Sequence, residues 1–563
     1  MKTSSILKFA VVAFALAACT PAPPSYDIII RNGTIYDGSG GQPFSGDVAI
    51  SGDRIVALGD LGKATAAEEV DAAGKAVSPG FINMLSWATA SLIEDGRGMS
   101  DLKQGVTLEV MGEGWSMGPW NDRLKQDAVA RQGDIKFDIE WTTLGEYMEY
   151  LTSKGISPNV ASYVGATTVR IHEVGYENRK ASGEEIARMQ DLVRAAMREG
   201  ALGVGSSLIY APSNFADTDE LIALVSAAAE FGGAYISHMR SEGNELEEGV
   251  QELIDIAKAT GVPAEIYHLK ASGKPNWHKL ERVFEMVEKA RADGLRITAD
   301  MYTYPASATG LNAAMPLWVQ EGGHDAWVAR LKDAEIRARV FYQMTSPEVE
   351  WNNYYLQNGP ENILLLGFKT AALKPLIGKT LKEVAELRGT HPAQTAIDLV
   401  IEDNHRVDVS YISMTEENVR KKVAQPWVSF GSDEEASATE GVFLLSNNHP
   451  RAFGTFARVL GKYSRDEGII PLEEAIRRMT SLPVENIQIR DRGRLREGFY
   501  ADIVVFDPDT VADHATFPEP HQYATGVEQV FVNGEQVLKD GEHTGATPGR
   551  VARGPGWEGW GIN

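Results

Sequence analysis

Two histidines and their spacing suggest a metal site. His238 closes the run AYISH and His268 closes the run AEIYH. If these runs are adjacent parallel strands, about 4.8 Å apart, the two imidazoles lie side by side at one edge of the sheet. A single histidine at a strand end is most often an ordinary hydrogen-bonded residue. Two neutral imidazoles in register instead suit a divalent metal, most often Zn²⁺.

An aspartate follows a third strand-like run. Asp433 ends the segment FGSD, and a strand at this point would bring its carboxylate to the same edge as the histidines. A carboxylate beside an activated water can take its proton and pass it to a leaving amine. The alternative role for an aspartate after a strand is to cap the next helix.

The elements that would position these three residues alternate between strands and helices. After Thr218, for example, apolar residues recur at the helical spacing i, i+3, i+4 and i+7. Eight strand candidates are 80–85, 106–112, 159–165, 201–206, 234–238, 263–268, 296–302 and 426–432. Eight such units predict a closed (β/α)₈ barrel of the TIM type, with an open doubly wound sheet as the alternative. In a TIM barrel the carboxyl ends of the strands meet at one mouth, where the chemistry occurs.

Strand-like runs at both ends predict a second, smaller domain. Short strands separated by turns at Asn32-Gly33 and Gly52-Asp53 fill residues 26–77, and similar runs return in residues 490–553. We expect these two pieces to form one small β-sandwich and residues 78–489 to form the barrel. The long segment 305–425 before the last strand predicts a lid over the site, or a helical elaboration without catalytic use.

The first 19 residues are typical of a bacterial lipoprotein signal peptide. A basic start precedes the apolar run 9–16, which is shorter than the roughly 20 residues that span a bilayer. The run ends in LAAC, which resembles a lipobox with Cys19 as the lipidated residue. Residues 20–25 are proline-rich and suit a tether. This predicts a protein anchored at the periplasmic face of a bacterial membrane, or a soluble periplasmic protein cut near Ala18.

Cysteine content and charge exclude several classes of function. Cys19 is the only cysteine, so the globular part has no disulfide and no thiolate ligand. The formal net charge of -24 argues against a nucleic-acid partner, whose phosphates require a basic surface. An anionic substrate would be repelled at long range and would need a local cation or a metal to hold it.

Six motifs, taken in order, resemble the N-acyl-D-amino-acid deacylases (D-aminoacylases) of the amidohydrolase superfamily. They are GFI at 80–82, HMRSE at 238–242, HLKA at 268–271, DMYTY at 300–304, GSD at 431–433 and HPRAFGTF at 449–456. The resemblance extends from about residue 26 to residue 553. It implies a barrel with a bipartite β-sandwich, a zinc requirement, and hydrolysis of an amide on a D-configured residue.

The resemblance also implies roles for individual residues. His238 and His268 match the zinc-binding histidines of the family, and Asp433 matches its catalytic aspartate. Three further positions match residues that the family associates with substrate: Lys270, Tyr302 and Arg451. A planar guanidinium would clamp a substrate carboxylate better than an ammonium does. The alternative for Arg451 is that it braces the segment 305–425.

The sequence departs from the family at three metal-binding positions. The His-x-His pair expected after the first strand is replaced by LSW at 85–87, which removes the usual ligands of one of two metals. The zinc-binding cysteine expected after the second strand is missing from MGEGW at 111–115. The histidine often found after the third strand is missing from GAT at 165–167.

Glu113, in the second of these segments, is the natural substitute ligand. A carboxylate oxygen binds zinc at about the distance of an imidazole, and Glu-His-His plus water is an accepted catalytic set. N-acetylglucosamine-6-phosphate deacetylases are similar in this respect. Gly112 and Gly114 would let the backbone bring the carboxylate in. Glu113 could instead pair with a basic neighbour, and Glu109, four positions earlier, is a weaker candidate.

Together these features predict a one-metal amide hydrolase. We expect Glu113, His238 and His268 to hold Zn²⁺, or another divalent metal, and Asp433 to act first as base and then as acid. Lys270 or Tyr302 would help to stabilise the oxyanion. The expected substrate is a small amide with a carboxylate. The alternatives are a cyclic amide or D-dipeptide hydrolase, and a degenerate barrel that binds a ligand without catalysis.

Overall fold

The computed structural model describes residues 25–349 and 351–560. The predicted signal peptide with Cys19, and all but the last residue of the predicted linker, lie outside this range. Ser25, which the sequence assigned to the linker, already belongs to the first strand. Within the described ranges no helix combines the length and the apolar character needed to cross a membrane.

The strands of the described residues fall into a barrel, a small β-domain and an insertion. In chain order they are β1 Ser25–Ile35, β2 Phe44–Ser51, β3 Arg54–Gly59, β4 Thr65–Asp71, β5 Ala76–Pro79, β6 Phe81–Asn83, β7 Val106–Met111, β8 Asn159–Ser162, β9 Val164–Gly165, β10 Gly203–Ser207, β11 Ala234–His238, β12 Ala264–Ile266, β13 Ile297–Met301, β14 Ser307–Gly310, β15 Ile363–Gly367, β16 Asp408–Tyr411, β17 Val428–Phe430, β18 Ile503–Phe506, β19 Val527–Val532, β20 Glu535–Lys539 and β21 Glu542–His543.

Helices follow most barrel strands and also fill the insertion. The α-helices are α1 Ser91–Glu94, α2 Met99–Leu102, α3 Asp122–Arg131, α4 Leu144–Lys154, α5 Ala166–Glu173, α6 Gly183–Arg198, α7 Thr218–Ala229, α8 Leu246–Thr260, α9 Leu280–Ala292, α10 His324–Lys332, α11 Ala334–Thr345, α12 Tyr354–Asn358, α13 Leu381–Arg388, α14 Pro392–Asp403, α15 Glu416–Val423, α16 Arg451–Arg458, α17 Leu472–Met479 and α18 Ser481–Ile487.

Parallel strands close into the predicted (β/α)₈ barrel. One hydrogen-bonded set has the order β17-β13-β12-β11-β10-β9 and a second has the order β6-β7-β8. The third barrel strand consists of β8 and β9, interrupted at Tyr163, whose N–H donates to the carbonyl of Met111 at 2.9 Å. At the other junction the Met84 N–H donates to the carbonyl of Phe430 at 3.3 Å, which joins β6 to β17. These contacts confirm the barrel and exclude an open sheet.

Helix starts follow the local sequence. Asp217 caps α7 by accepting a hydrogen bond from the Glu220 N–H, and Ser182 with Glu185 forms a capping box at α6. The helix α9 begins at Leu280, directly after a 3₁₀ turn at Lys274–Lys279.

The small β-domain joins both ends of the described chain. Nine strands form one hydrogen-bonded array in the order β21-β20-β19-β18-β5-β1-β2-β3, with β4 on β1. Ile55 of β3 and Phe531 of β19 lie far apart in this order but share one core, so the array folds over on itself as a sandwich does. The turn predicted at Asn32-Gly33 is instead a bulge within β1, with Asn32 at a φ of +56°.

The long segment between β13 and β17 forms a compact α/β insertion. Its strands β14, β16 and β15 pair antiparallel in that order, and it has its own apolar core, which includes Leu311, Trp327 and Ile397. The start of the insertion immediately follows β13, so β14 lies at the mouth of the barrel.

Candidate metal centre

Three predicted ligands converge at the mouth of the barrel. Glu113 follows β7, His238 ends β11, and His268 follows β12. Oε1 of Glu113 lies 2.7 Å from Nδ1 of His238 and 3.1 Å from Nε2 of His268, and the two ring nitrogens are 2.9 Å apart. All three residues are buried. Among the described residues, this is the one group of histidine and carboxylate donors that meets at a point.

The geometry of this donor set fits a small divalent cation. Zn–N and Zn–O bonds of about 2.0–2.1 Å in a tetrahedral site put the donor atoms about 3.3 Å apart. The observed separations of 2.7–3.1 Å need to open by only a few tenths of an ångström. Three atoms that carry lone pairs, aimed at one point, are better stabilised by a cation than by protons shared between them.

Two glycines let Glu113 approach the histidines. Gly112 and Gly114 both have a positive φ, +107° and +67°. A Cβ at Gly112 would lie 2.4 Å from the carbonyl oxygen of Tyr163, and one at Gly114 would lie 2.0 Å from Oγ of Ser207. Side chains at either position would push this loop away from the mouth.

Two other site residues have an uncommon backbone conformation. His268 has a φ of +35° and Asp433 a φ of +54°, both in the region that non-glycine residues rarely adopt. Hydrogen bonds hold each in place, because the His268 N–H donates to Oδ1 of Asp300 at 2.9 Å and the Asp433 N–H donates to the carbonyl of Leu85 at 2.8 Å. Backbone strain of this kind is concentrated at functional sites.

Glu242 contacts His268 and lies near His238, outside the donor set. Its Oε1 lies 3.0 Å from Nδ1 of His268, and its Oε2 lies 3.7 Å from Nε2 of His238. The ammonium of Lys270 lies 2.6 Å from Oε1 of Glu242 and 2.8 Å from Nδ1 of His268. Carboxylates that receive the outer N–H of a ligating imidazole fix the orientation of its ring.

The charges in the donor set depend on one another. Burial alone would raise the pKa of Glu113, but hydrogen bonds from His238 and His268 hold that pKa far below its ordinary value. Burial and Lys270 would lower the pKa of His268, but Glu242 and Glu113 raise it to about 10. The glutamates therefore stabilise positive charge at the point where the donor atoms meet.

Asp433 is linked to the donor set by Trp87, whose indole N–H also contacts Glu113. Its Oδ2 lies 2.6 Å from Nη1 of Arg451, and its Oδ1 lies 3.2 Å from Nε1 of Trp87. The same indole N–H lies 3.1 Å from Oε2 of Glu113. Burial raises the pKa of Asp433, and the charges of Arg451 and His268 oppose that rise.

The remaining predicted residues lie around this centre. Arg451 also lies 3.5 Å from the carbonyl of Ala308 in β14, so it contacts both the predicted base and the insertion. Tyr302 is buried with its ring 4.4 Å from the Arg451 guanidinium. Glu109 lies deeper in the barrel, where Nδ2 of Asn83 donates to it, and it is not part of the donor set.

A cavity of about 720 Å³ opens above the centre. Pockets for small ligands are commonly about 300–1,000 Å³. The insertion supplies part of the wall, including Arg406 from the loop before β16, which is paired with Asp408 at 3.0 Å. Lys270 and Arg451 also line the cavity, whereas Tyr302 lies behind its wall.

Comparison with known proteins defines the class. A model of the amidohydrolase family matches residues 68–538. The D-aminoacylase of Alcaligenes xylosoxydans xylosoxydans is 32% identical over 530 residues, which is 93% of this chain and 97% of that protein. The chain therefore belongs to the amidohydrolase family, whose members are metal-dependent hydrolases of carbon–nitrogen bonds.

Solved structures place the chain within one group of that family. An N-acyl-D-glutamate deacylase from Bordetella bronchiseptica, in complex with zinc and a phosphonate that mimics the tetrahedral intermediate, has a TM-score of 0.78 at 29% identity. A D-aminoacylase described by its binuclear metal centre has a TM-score of 0.77 at 31% identity. Each comparison covers 94% of this chain and 100% of the other chain. The resemblance to the D-aminoacylases is confirmed.

Two residues of the site carry roles that the sequence alone did not reveal. Glu242 lies four positions after His238, and this spacing could have drawn attention to it as a partner of the ligand. In the sequence, Trp87 stands out only as the residue that replaces an expected histidine. No spacing in the sequence indicates that its indole reaches Glu113 and Asp433, because the contacts depend on side-chain packing between the ends of neighbouring strands.

The assignment of Glu113 as a ligand predicts the metal content of two matched variants. Glu113→Gln removes a charged oxygen from the donor set, so metal affinity should fall by more than the roughly 10–100-fold cost of losing an outer partner. Glu109→Gln should leave it unchanged, because burial raises the pKa of Glu109 to about 7 and the amide preserves its shape. Metal per chain, measured by mass spectrometry after dialysis, checks both. Metal loss in Glu109→Gln with retention in Glu113→Gln would refute the assignment.

Proposed function

We propose that the protein is a deacylase of N-acyl-D-amino acids. The observation that carries this proposal is the convergence of Glu113, His238 and His268 near Asp433, in a chain similar over most of its length to a D-aminoacylase. Two relatives named N-acyl-D-aspartate deacylase and N-acyl-D-glutamate deacylase are each 30% identical. An N-acylated D-residue is the feature that these three named activities share.

We also propose one Zn²⁺, held by Glu113, His238 and His268. The oxygen and nitrogen donors support zinc, and zinc is bound in the related N-acyl-D-glutamate deacylase. A single ion is supported by the absence of imidazoles at 85–87 and by a D-aminoacylase described as activated by one metal. When bound, such an ion polarises the scissile carbonyl and lowers the pKa of a water.

Asp433 is the residue proposed to move the proton. It accepts a proton from the attacking water and delivers it to the leaving nitrogen. The opposing influences on its pKa, burial against Arg451, suit a group that must both take up and release a proton. The paired contacts of its two oxygens fix the direction of the carboxylate.

Arg451 is proposed to hold the substrate carboxylate while it contacts Asp433. A guanidinium has five N–H donors, and the ion pair of Arg451 with Asp433 is made through Nη1, at 2.6 Å from Oδ2. In an N-acyl amino acid the carboxylate is attached to the carbon next to the scissile nitrogen. A carboxylate on the cavity side of Arg451 therefore brings that nitrogen close to Asp433.

Lys270 and Tyr302 support the site in different ways. The ammonium of Lys270 is already paired with Glu242, which favours a role in holding His268 over direct contact with an oxyanion. Tyr302 stacks against the Arg451 guanidinium and fixes its plane.

Export and lipidation at Cys19 are proposed from the sequence alone. The LAAC motif after a short apolar run supports an anchor at the periplasmic face of a bacterial membrane. Cys19→Ser should move the protein from the membrane fraction to the soluble fraction of cells, and wild-type protein found only in the soluble fraction would count against the anchor.

A substrate panel with metal-replete protein tests the proposed activity. N-acyl-D-amino acids should be hydrolysed at least ~100-fold faster, in kcat/KM, than their L-enantiomers, since chirality sets which side of the α-carbon faces Arg451 and the metal centre. Cyclic amides and D-dipeptides belong in the same panel. Faster turnover of either class would replace the proposed substrate.

Asp433→Asn serves as the mechanistic control in that panel. Loss of the proton acceptor should lower kcat by ~10²–10⁴-fold, the range for general acid–base groups, with metal content unchanged. Near-normal turnover in this variant would remove Asp433 from the mechanism.

A further inference from the structure

Trp87 occupies the place where the amidohydrolase pattern has the second histidine of its His-x-His pair. The chain holds this residue firmly at the barrel mouth. Ser86 bridges to Glu434, and the Trp87 N–H donates to the carbonyl of Glu434 at 2.9 Å. The side chain is half-buried and lines the cavity.

The indole N–H of Trp87 is shared by two carboxylates with different tasks. It lies 3.1 Å from Oε2 of Glu113 and 3.2 Å from Oδ1 of Asp433. The other oxygen of Glu113 faces the histidines, and the other oxygen of Asp433 faces Arg451. The indole therefore lies between the proposed ligand and the proposed base.

Two nearby carboxylates repel each other unless positive charge lies between them. In a two-metal site a cation does this. An indole N–H supplies a positive dipole at the same place but has no lone pair with which to bind a metal. The Trp87 indole N–H lies between the two carboxylates, at the point where a second ion would need a ligand.

We propose that Trp87 is a positioning residue that replaces a second metal. Its shared N–H orients Asp433 toward the donor set and steadies Glu113, and its ring limits the centre to one ion. The claim that Trp87 orients Asp433 for catalysis rests on the proposed function. The claim that Trp87 limits the centre to one ion does not.

Trp87→Phe tests the shared N–H, because it retains a ring and removes the donor. With saturating metal, kcat should fall at least ~10-fold while KM changes less than ~3-fold, since orientation of the base is lost and substrate contacts remain. Metal affinity should weaken roughly 10-fold, at the lower end of the loss seen when a hydrogen-bond partner of a metal ligand is removed. Stoichiometry should stay at one ion.

Trp277→Phe is the matched control. Trp277 is half-buried, its indole N–H donates to the carbonyl of Ser413 at 2.8 Å, and it lies outside the cavity lining. The Trp277→Phe variant therefore loses one indole hydrogen bond without touching the metal centre. If Trp87→Phe matches this control in kcat and in metal affinity, Trp87 does not position the carboxylates.

Trp87→His tests, independently of activity, whether Trp87 prevents a second metal ion from binding. The imidazole adds a ligand between Glu113 and Asp433, so equilibrium dialysis with Co²⁺ should show more than one equivalent bound, against one for wild type. The absorption spectrum of the bound cobalt should also change, because a second ion adds its own bands. One equivalent with a wild-type spectrum would overturn the claim that the Trp87 ring excludes a second ion.

These measurements separate the two proposals. If wild type hydrolyses no N-acyl-D-amino acid, the proposed function fails. The role of Trp87 in metal binding is still tested by the metal affinity of Trp87→Phe and by the number of cobalt ions bound to Trp87→His. If wild type is active but neither variant departs from its control, the Trp87 proposal alone is refuted.

Discussion

The carboxylate of Glu113 is only 5% exposed, and an anion at that depth is stable only when donors or cations meet both of its oxygens. One oxygen faces the two imidazoles and the other faces the indole of Trp87. This requirement explains why the loop after β7 has a glycine on each side of Glu113. It also explains why a glutamate is accommodated at this position, since the surrounding donors meet both of its oxygens.

Charge pairing extends outward from this carboxylate in alternating signs. Glu242 and Lys270 form a buried pair behind the histidines, and Asp433 and Arg451 form a second pair opposite them. Each pair costs desolvation energy, which only close and well-directed contacts offset. The result is a mouth whose ionic groups hold fixed directions before a substrate arrives, as preorganised catalysis requires. The overall charge of -24 makes this local arrangement of cations the more important for an anionic substrate.

The sequence predicts the barrel and part of the site because those features depend on local pattern. His238 and His268 end recognisable strands, and neighbouring parallel strands bring such residues together without further information. The interruption at Tyr163 and the bulge at Asn32 depend instead on register and could not be predicted. The sequence predicts a substrate role for Arg451, or a bracing role for the insertion, and both stay predictions. Its contact with Asp433 has no local signal, because it depends on how α16 packs. The contacts of the Trp87 indole with Glu113 and Asp433 depend on side-chain packing in the same way.

X-ray absorption at the zinc edge of metal-replete protein tests the one-ion Glu-His-His centre most directly. A first shell made only of nitrogen and oxygen at about 2.0–2.1 Å is expected, with the outer-ring scattering of two imidazoles. No metal–metal scattering is expected, because the Trp87 indole has no lone pair to offer a second ion. A sulfur shell at about 2.3 Å, or a second metal at about 3.5–4 Å, would contradict it.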